Sequence, residues 1–249
     1  MLLGLFLTAC APADSYTLDG GRFVALRPDR FPAPVLVFAH GWRSRPEKIV
    51  EDDPEELALL IDAGVLVLLP EAESDGEWNV SRSTRERDDM VFIESMLDDA
   101  DARWGIDRQR VWGSGFSEGG SVAHHMGCYR GAVFSGVVPL SGTFWEPLPA
   151  DCGSSALPIR HVHGTEDPMW PLEGRQFSST TAQGDVREGV AIWRGQNGCS
   201  EESESYTDGP LACTRWTGCD GGAVELCMHD GGHVRRGGWA ERMLRWLDP

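Results

Sequence analysis

Short unbroken apolar runs alternate along this chain with stretches of helical periodicity. Residues 34–39 read Pro-Val-Leu-Val-Phe-Ala, and residues 65–69 read Val-Leu-Val-Leu-Leu before Pro70 stops them. Continuous apolarity of this length marks a strand covered on both faces. Between them Asp53-Pro54-Glu55 opens a helix through about Asp62. Proline sits early, acids lie near the positive end, and Gly64 closes it. Residues 85–104 carry Met90, Val91, Ile93, Met96 and Leu97 at helical spacing. Further strands are predicted at 110–113, 133–140, 157–162, 214–216 and 224–228. Helices are predicted over 118–129, 188–194 and 239–247. Residues 15–31 read as an edge strand pair with turns at Asp19-Gly20-Gly21 and Pro28-Asp29, and 199–222 as an elaborated loop.

Strands alternating with helices predict an α/β fold: a doubly wound, mostly parallel sheet with helices on both faces. The 249 residues suit one such domain, taken as residues 10–249. The apolar stretch at 1–9 is too short to span a bilayer, which takes about 20 residues. It reads as a secretory signal, and Leu7-Thr8-Ala9-Cys10 resembles a bacterial lipobox that would leave Cys10 lipid-modified. The expected location is the cell envelope or the outside of the cell, with membrane contact only through that anchor.

Cysteine usage agrees with export. Setting Cys10 aside from the seven leaves an even six, which suggests up to three disulfides. Cys128 with Cys152 is the first expected pair, and Cys199, Cys213, Cys219 and Cys227 would knit the segment after residue 199. No C-x-x-C spacing occurs, so no metal site is expected. A net charge of −17 without a basic patch argues against a nucleic-acid partner. A neutral substrate such as an ester or a polysaccharide is more compatible.

Gly115-Phe116-Ser117-Glu118-Gly119 lies between the strand at 110–113 and the helix that follows. A strand turning sharply into a helix pushes the serine hydroxyl out at the sheet edge, the geometry of a nucleophile elbow. A serine hydroxyl attacks only if a base takes its proton, and the base needs a carboxylate to fix its tautomer. Among the seven histidines, His229 and His233 lie just after the last strand, where this architecture places its base. His233, freed by Gly231-Gly232, is preferred. His124, His125, His161 and His163 read as packing or structural, and His40 as shaping a loop. The acid is expected after the strand at 157–162. Asp167 is preferred because Pro168 favours an exposed turn, with Glu166 as the fallback. An oxyanion would need two backbone N–H donors. Glu118, next after the nucleophile, supplies one, and Trp42 in the loop His40-Gly41-Trp42-Arg43 supplies the other. Trp42, Trp78, Trp145 and Trp170 fall in loops near these motifs. Their faces suit stacking on a sugar or an aromatic acyl ring, and Trp42 and Trp170 are the candidate substrate contacts.

The set His40-Gly41, Gly115-Phe116-Ser117-Glu118-Gly119-Gly120, His163-Gly164-Thr165-Glu166-Asp167 and Gly231-Gly232-His233 resembles secreted α/β-hydrolases of the polyhydroxybutyrate depolymerase and feruloyl or acetylxylan esterase group. Asp88-Asp89-Met90-Val91-Phe92-Ile93 is similar to that group's helix before the nucleophile strand. The resemblance implies a secreted carboxylesterase without metal or cofactor, with Ser117 as nucleophile, Asp167 as acid and His233 as base. Two departures lie where substrate would sit. Val234-Arg235-Arg236 follows the base where Trp-Pro-Gly is usual, and the stretch from Trp78 to Arg87 is short. A serine peptidase of the same fold and a non-catalytic surface binding module are the competing expectations.

Overall fold

The computed structural model describes residues 13–73, 75–80 and 86–247. The proposed leader at 1–9 and Cys10 lie outside the described residues.

Twelve strands and six helices make up the described chain. A hairpin of β1 (Ala13–Leu18) and β2 (Gly21–Leu26) turns at Asp19-Gly20. Next come β3 (Ala33–Ala39), α1 (Pro46–Asp52), α2 (Pro54–Asp62), β4 (Leu66–Pro70) and α3 (Asp89–Trp104). β5 (Ile106–Phe116), α4 (Glu118–Arg130), β6 (Gly136–Leu140) and β7 (Ile159–Gly164) follow. The last part holds the two-residue strands β8 (Arg175–Gln176) and β9 (Ala182–Gln183), then α5 (Val186–Gln196), β10 (Ser203–Asp208), β11 (Leu211–Trp216), β12 (Val224–His229) and α6 (Trp239–Leu247).

Ten strands form one sheet in the order β1-β2-β4-β3-β5-β6-β7-β12-β11-β10. From β4 to β12 every pairing is parallel, and the outer pairs are antiparallel. Strands β3, β4 and β6 are buried along their whole length, which is why they read as apolar runs, while β5 is buried mainly over its last half, from Val111 to Gly115. Alternate residues feed opposite layers. Val35, Val37, Leu66, Leu68, Val111 and Val137 pack with α3, α4 and α5 through Ile93, Met96, Val122, Met126 and Trp193. Leu36, Phe38, Val67, Leu69, Trp112 and Val138 pack with α1, α2 and α6 through Ile49, Leu57, Leu60, Trp239 and Met243. Each such fully buried aliphatic contributes roughly 1.5–3 kcal/mol relative to exposure.

The elements depart from expectation where apolar pattern is thin. α3 begins at Asp89, because Asp88 caps it by accepting the amides of Met90 and Val91 at 2.9 and 3.2 Å. The strand before Ser117 starts at Ile106, and β6 starts at Gly136. The loop expected at 199–222 contains the β10–β11 hairpin. Three disulfides are present among the described residues. Cys128 joins Cys152 as expected, and Cys199–Cys219 and Cys213–Cys227 knit the segment after residue 199, the latter joining β11 to β12.

Because β3, β5, β6, β7 and β12 run parallel, their carboxyl ends share one edge. The chain leaves β3 for β4 on one side and returns to β5 on the other. A crevice therefore opens between the loops after β3 and β5, the position at which open α/β sheets hold ligands.

Candidate active site

Ser117 sits between the last residue of β5 and the first of α4 with φ 62° and ψ −123°. A non-glycine residue rarely adopts a positive φ, and strain of this kind concentrates at functional positions. Two close backbone approaches force glycine around it. A Cβ on Gly119 would lie 2.0 Å from the Ala39 carbonyl oxygen, and one on Gly142 would lie 1.9 Å from the Ser117 carbonyl oxygen. The loop after β3 passes directly over the elbow, since a Cβ on Gly41 would lie 3.3 Å from the Ser117 Cβ.

That loop is held from behind. The Ala72 amide donates to His40 Nε2 at 3.0 Å, so the ring proton sits on Nδ1, which donates to the Gly41 carbonyl at 2.8 Å. Burial pushes His40 down to about 4, which keeps it neutral. Trp78 is fully buried and donates its indole N–H to the His40 carbonyl at 2.8 Å. Trp78 is therefore a core prop of this loop and does not line the cleft. The Arg43 amide donates to the Gly76 carbonyl at 2.8 Å and fixes Arg43 at φ 52°.

Asp167 lies on the loop after β7 and is buried, whereas the fallback Glu166 is exposed. Oδ2 of Asp167 receives His233 Nδ1 at 2.7 Å. Oδ1 accepts the amides of Met169 and Trp170 at 2.9 and 2.8 Å. Burial pushes this carboxyl up, but the His233 hydrogen bond and the Trp170 amide outweigh it and hold Asp167 below the usual carboxylate range. The acid and base loops are stitched together by backbone bonds from Thr165 to His229 and from Glu166 to Gly231, at 2.9 and 3.0 Å. The His233 ring lies against Phe116, the residue before Ser117, with centroids 4.6 Å apart. His229 faces another way, its Nδ1 accepting from Arg236 Nε at 3.2 Å. Of the two histidines after β12, it is His233 that meets Asp167.

Ser117 and Glu118 form one side of a cleft of about 290 Å³. Trp42 and Trp170, both expected near substrate, line it together with Trp145, Phe177 and Met169. The aromatic rings meet edge to face: Trp42 on Phe177 at 6.1 Å, Trp145 on Phe177 at 5.5 Å and Trp145 on Trp170 at 5.2 Å. Trp42, Phe177 and Met169 remain 47, 48 and 53% exposed at the mouth. Phe177 and Met169 escaped the sequence reading. Phe177 is a lone aromatic in the polar run 176–181, carried by the β8–β9 turn, and that isolation was its one signal.

A family model described as phospholipase/carboxylesterase matches residues 71–186. Feruloyl esterase B of Piromyces equi is 24% identical over 222 residues, covering 83% of this chain and 40% of that protein. Feruloyl esterase C of Emericella nidulans is 26% identical over 158 residues, covering 62% of this chain and 53% of that one. The chain thus spans about half the length of these curated relatives or less. Among solved structures, acetyl xylan esterase from Aspergillus awamori superposes with a TM-score of 0.68 at 16% identity, over 96% of each chain. The chain has the α/β-hydrolase fold. Its resemblance is to the feruloyl esterase-like group, in agreement with the motifs around His40, Ser117, Asp167 and His233.

Proposed function

We propose that this α/β-hydrolase is a serine carboxylesterase. Ser117 Oγ attacks the acyl carbonyl while His233 takes the hydroxyl proton. Asp167, bound to Nδ1, keeps the free electron pair of His233 on Nε2 and stabilises the imidazolium that forms. The amides of Glu118 and Trp42 hold the developing oxyanion. Collapse of the tetrahedral intermediate expels the alcohol, which receives the proton from His233. Water, deprotonated by the same base, then releases the acid from Ser117. Every step uses groups of the chain itself, and no cofactor takes part.

The observation that carries this reading is the 2.7 Å pair of His233 and a buried Asp167 at the same sheet edge as a serine in a strained elbow. The aromatic cleft beside Ser117 supports a polymer-linked ester, of the feruloyl-polysaccharide type before the acetyl-polysaccharide or polyhydroxyalkanoate types. A flat acyl ring would find aromatic faces and edges on several sides. Three disulfides support a protein made for an oxidising compartment, hence exported, and a lipid anchor at Cys10 would hold it at the envelope.

The test is hydrolysis of p-nitrophenyl acetate and of methyl ferulate by the wild type and by Ser117→Ala. Turnover by the wild type, lost in a folded variant, is expected. Turnover retained in the variant removes Ser117 from the mechanism, and cleavage of peptides in preference to esters favours a peptidase instead.

A further inference from the structure

Three fully buried histidines outside the cleft form one unbroken hydrogen-bonded row behind the acid loop. The Trp193 indole N–H donates to His124 Nδ1 at 2.9 Å. His124 Nε2 meets His161 Nδ1 at 3.0 Å, His161 Nε2 meets His163 Nδ1 at 3.0 Å, and His163 Nε2 meets the Trp170 carbonyl at 2.8 Å. None of the three rings is exposed.

The two ends fix the protons. An indole N–H can only donate and a carbonyl can only accept, while a neutral imidazole has one of each. Trp193 therefore leaves His124 bare at Nδ1 and protonated at Nε2. The same assignment passes to His161 and then to His163, which ends the row as a donor. One arrangement alone satisfies all four links. The Gly142 carbonyl is the competing acceptor near His124. Burial holds all three rings below the ordinary histidine range. His125 acts electrostatically on His124, and Asp167, His233 and His229 on His163.

The row ends on the catalytic acid. Trp170 is tied by its carbonyl to His163 and by its amide to Asp167 Oδ1, at 2.8 Å in each case. His163 Nε2 also stands 3.7 Å from Asp167 Oδ2, the oxygen that holds His233. We propose that His163, oriented through His161 and His124 by the Trp193 N–H, is a positioning residue that sets Trp170 and thereby aims the Asp167 carboxylate at His233. A neutral relay fits this task better than a charged one. An imidazolium at His163 would compete with His233 for the same carboxylate. The role rests on the serine esterase reading, while the arrangement of protons stands apart from it.

Two measurements test it. Long-range ¹H–¹⁵N NMR of the resting wild-type enzyme should show His124, His161 and His163 protonated at Nε2 and bare at Nδ1. Any one of them protonated at Nδ1 overturns the relay, whatever the enzyme's activity. Kinetics then test the role. Trp193→Phe, which removes the directing N–H together with part of the buried ring, and His163→Leu should, where folded, lower kcat about tenfold with KM within twofold, since a misplaced catalytic group costs turnover rather than binding. His163→Gln, whose amide can both accept from His161 and donate to Trp170, should recover most of the loss. Folded variants with wild-type kcat, or a fall in kcat that His163→Gln does not relieve, overturn the positioning role. Absence of esterase activity in the wild type would sink the esterase reading and leave the NMR result to judge the relay.

Discussion

Nδ1 of His233 lies 2.7 Å from Oδ2 of Asp167 across 66 residues of sequence. Two separate loops converge to make that contact, one leaving β7 and one leaving β12, and backbone bonds from Thr165 and Glu166 hold them together. The other carboxylate oxygen is spent on the amides of Met169 and Trp170, so the acid cannot rotate away without losing three partners.

Asp167→Asn removes the charge and keeps the shape. The amide no longer selects the His233 tautomer that leaves Nε2 free, and it stabilises the imidazolium less. We expect kcat on p-nitrophenyl acetate to fall by about 10²–10⁴ in a variant whose circular dichroism shows the fold retained. Activity within tenfold of wild type would take Asp167 out of its role.

Acid should destabilise this protein in two overlapping stages. Burial pushes His40 to about 4 and His124 to about 3 in the fold, against about 6.5 when unfolded. Both folded values are lowered, so the unfolded chain binds the extra protons once pH drops below about 6.5. Stability is then lost progressively down to the folded values. Each ring costs about 2 kcal/mol at pH 5 relative to pH 8. Asp167 acts lower. Its folded value is also depressed, so its contribution is intact at pH 5 and vanishes only as pH falls from about 3.9 towards the folded value. Urea unfolding at a series of pH values checks this, and a midpoint that stays constant between pH 8 and pH 5 contradicts it.

The cleft mouth should discriminate between acyl groups. Trp42 and Phe177 are about half exposed and meet edge to face, so truncating either should leave the fold intact. Trp42→Ala and Phe177→Ala are each expected to lower kcat/KM for methyl ferulate by about 3- to 10-fold, the worth of one aromatic pair. Hydrolysis of p-nitrophenyl acetate should stay within twofold. Equal losses on both esters would mean these rings do not hold the acyl group.

What the sequence made legible follows from where burial writes a pattern. β3, β4 and the elbow were readable because strands covered on both faces admit few polar residues, and because close backbone approaches at Gly115 and Gly119 leave no room for a side chain on either side of Ser117. The order of Ser117, Asp167 and His233 could be read because each follows a recognisable strand. β10 was hidden by its composition. Ser203–Asp208 is an edge strand wetted on most positions, so its residues carry no alternation. α1 was overlooked because only Pro46 and Ile49 of its seven residues are buried. The histidine row was invisible for a different reason. His124 lies on α4 while His161 and His163 lie on β7, and only the packing of α4 and α5 on that face of the sheet brings them and Trp193 into line.

Esterase chemistry here requires Ser117 to be an activated nucleophile, and a fluorophosphonate probe followed by peptide mass mapping tests that most directly. Wild-type protein should take up one phosphonyl group, located on Ser117, with Ser117→Ala left unlabelled under the same conditions. A native, folded wild type that resists the probe, or a label found on another serine, would contradict the assignment.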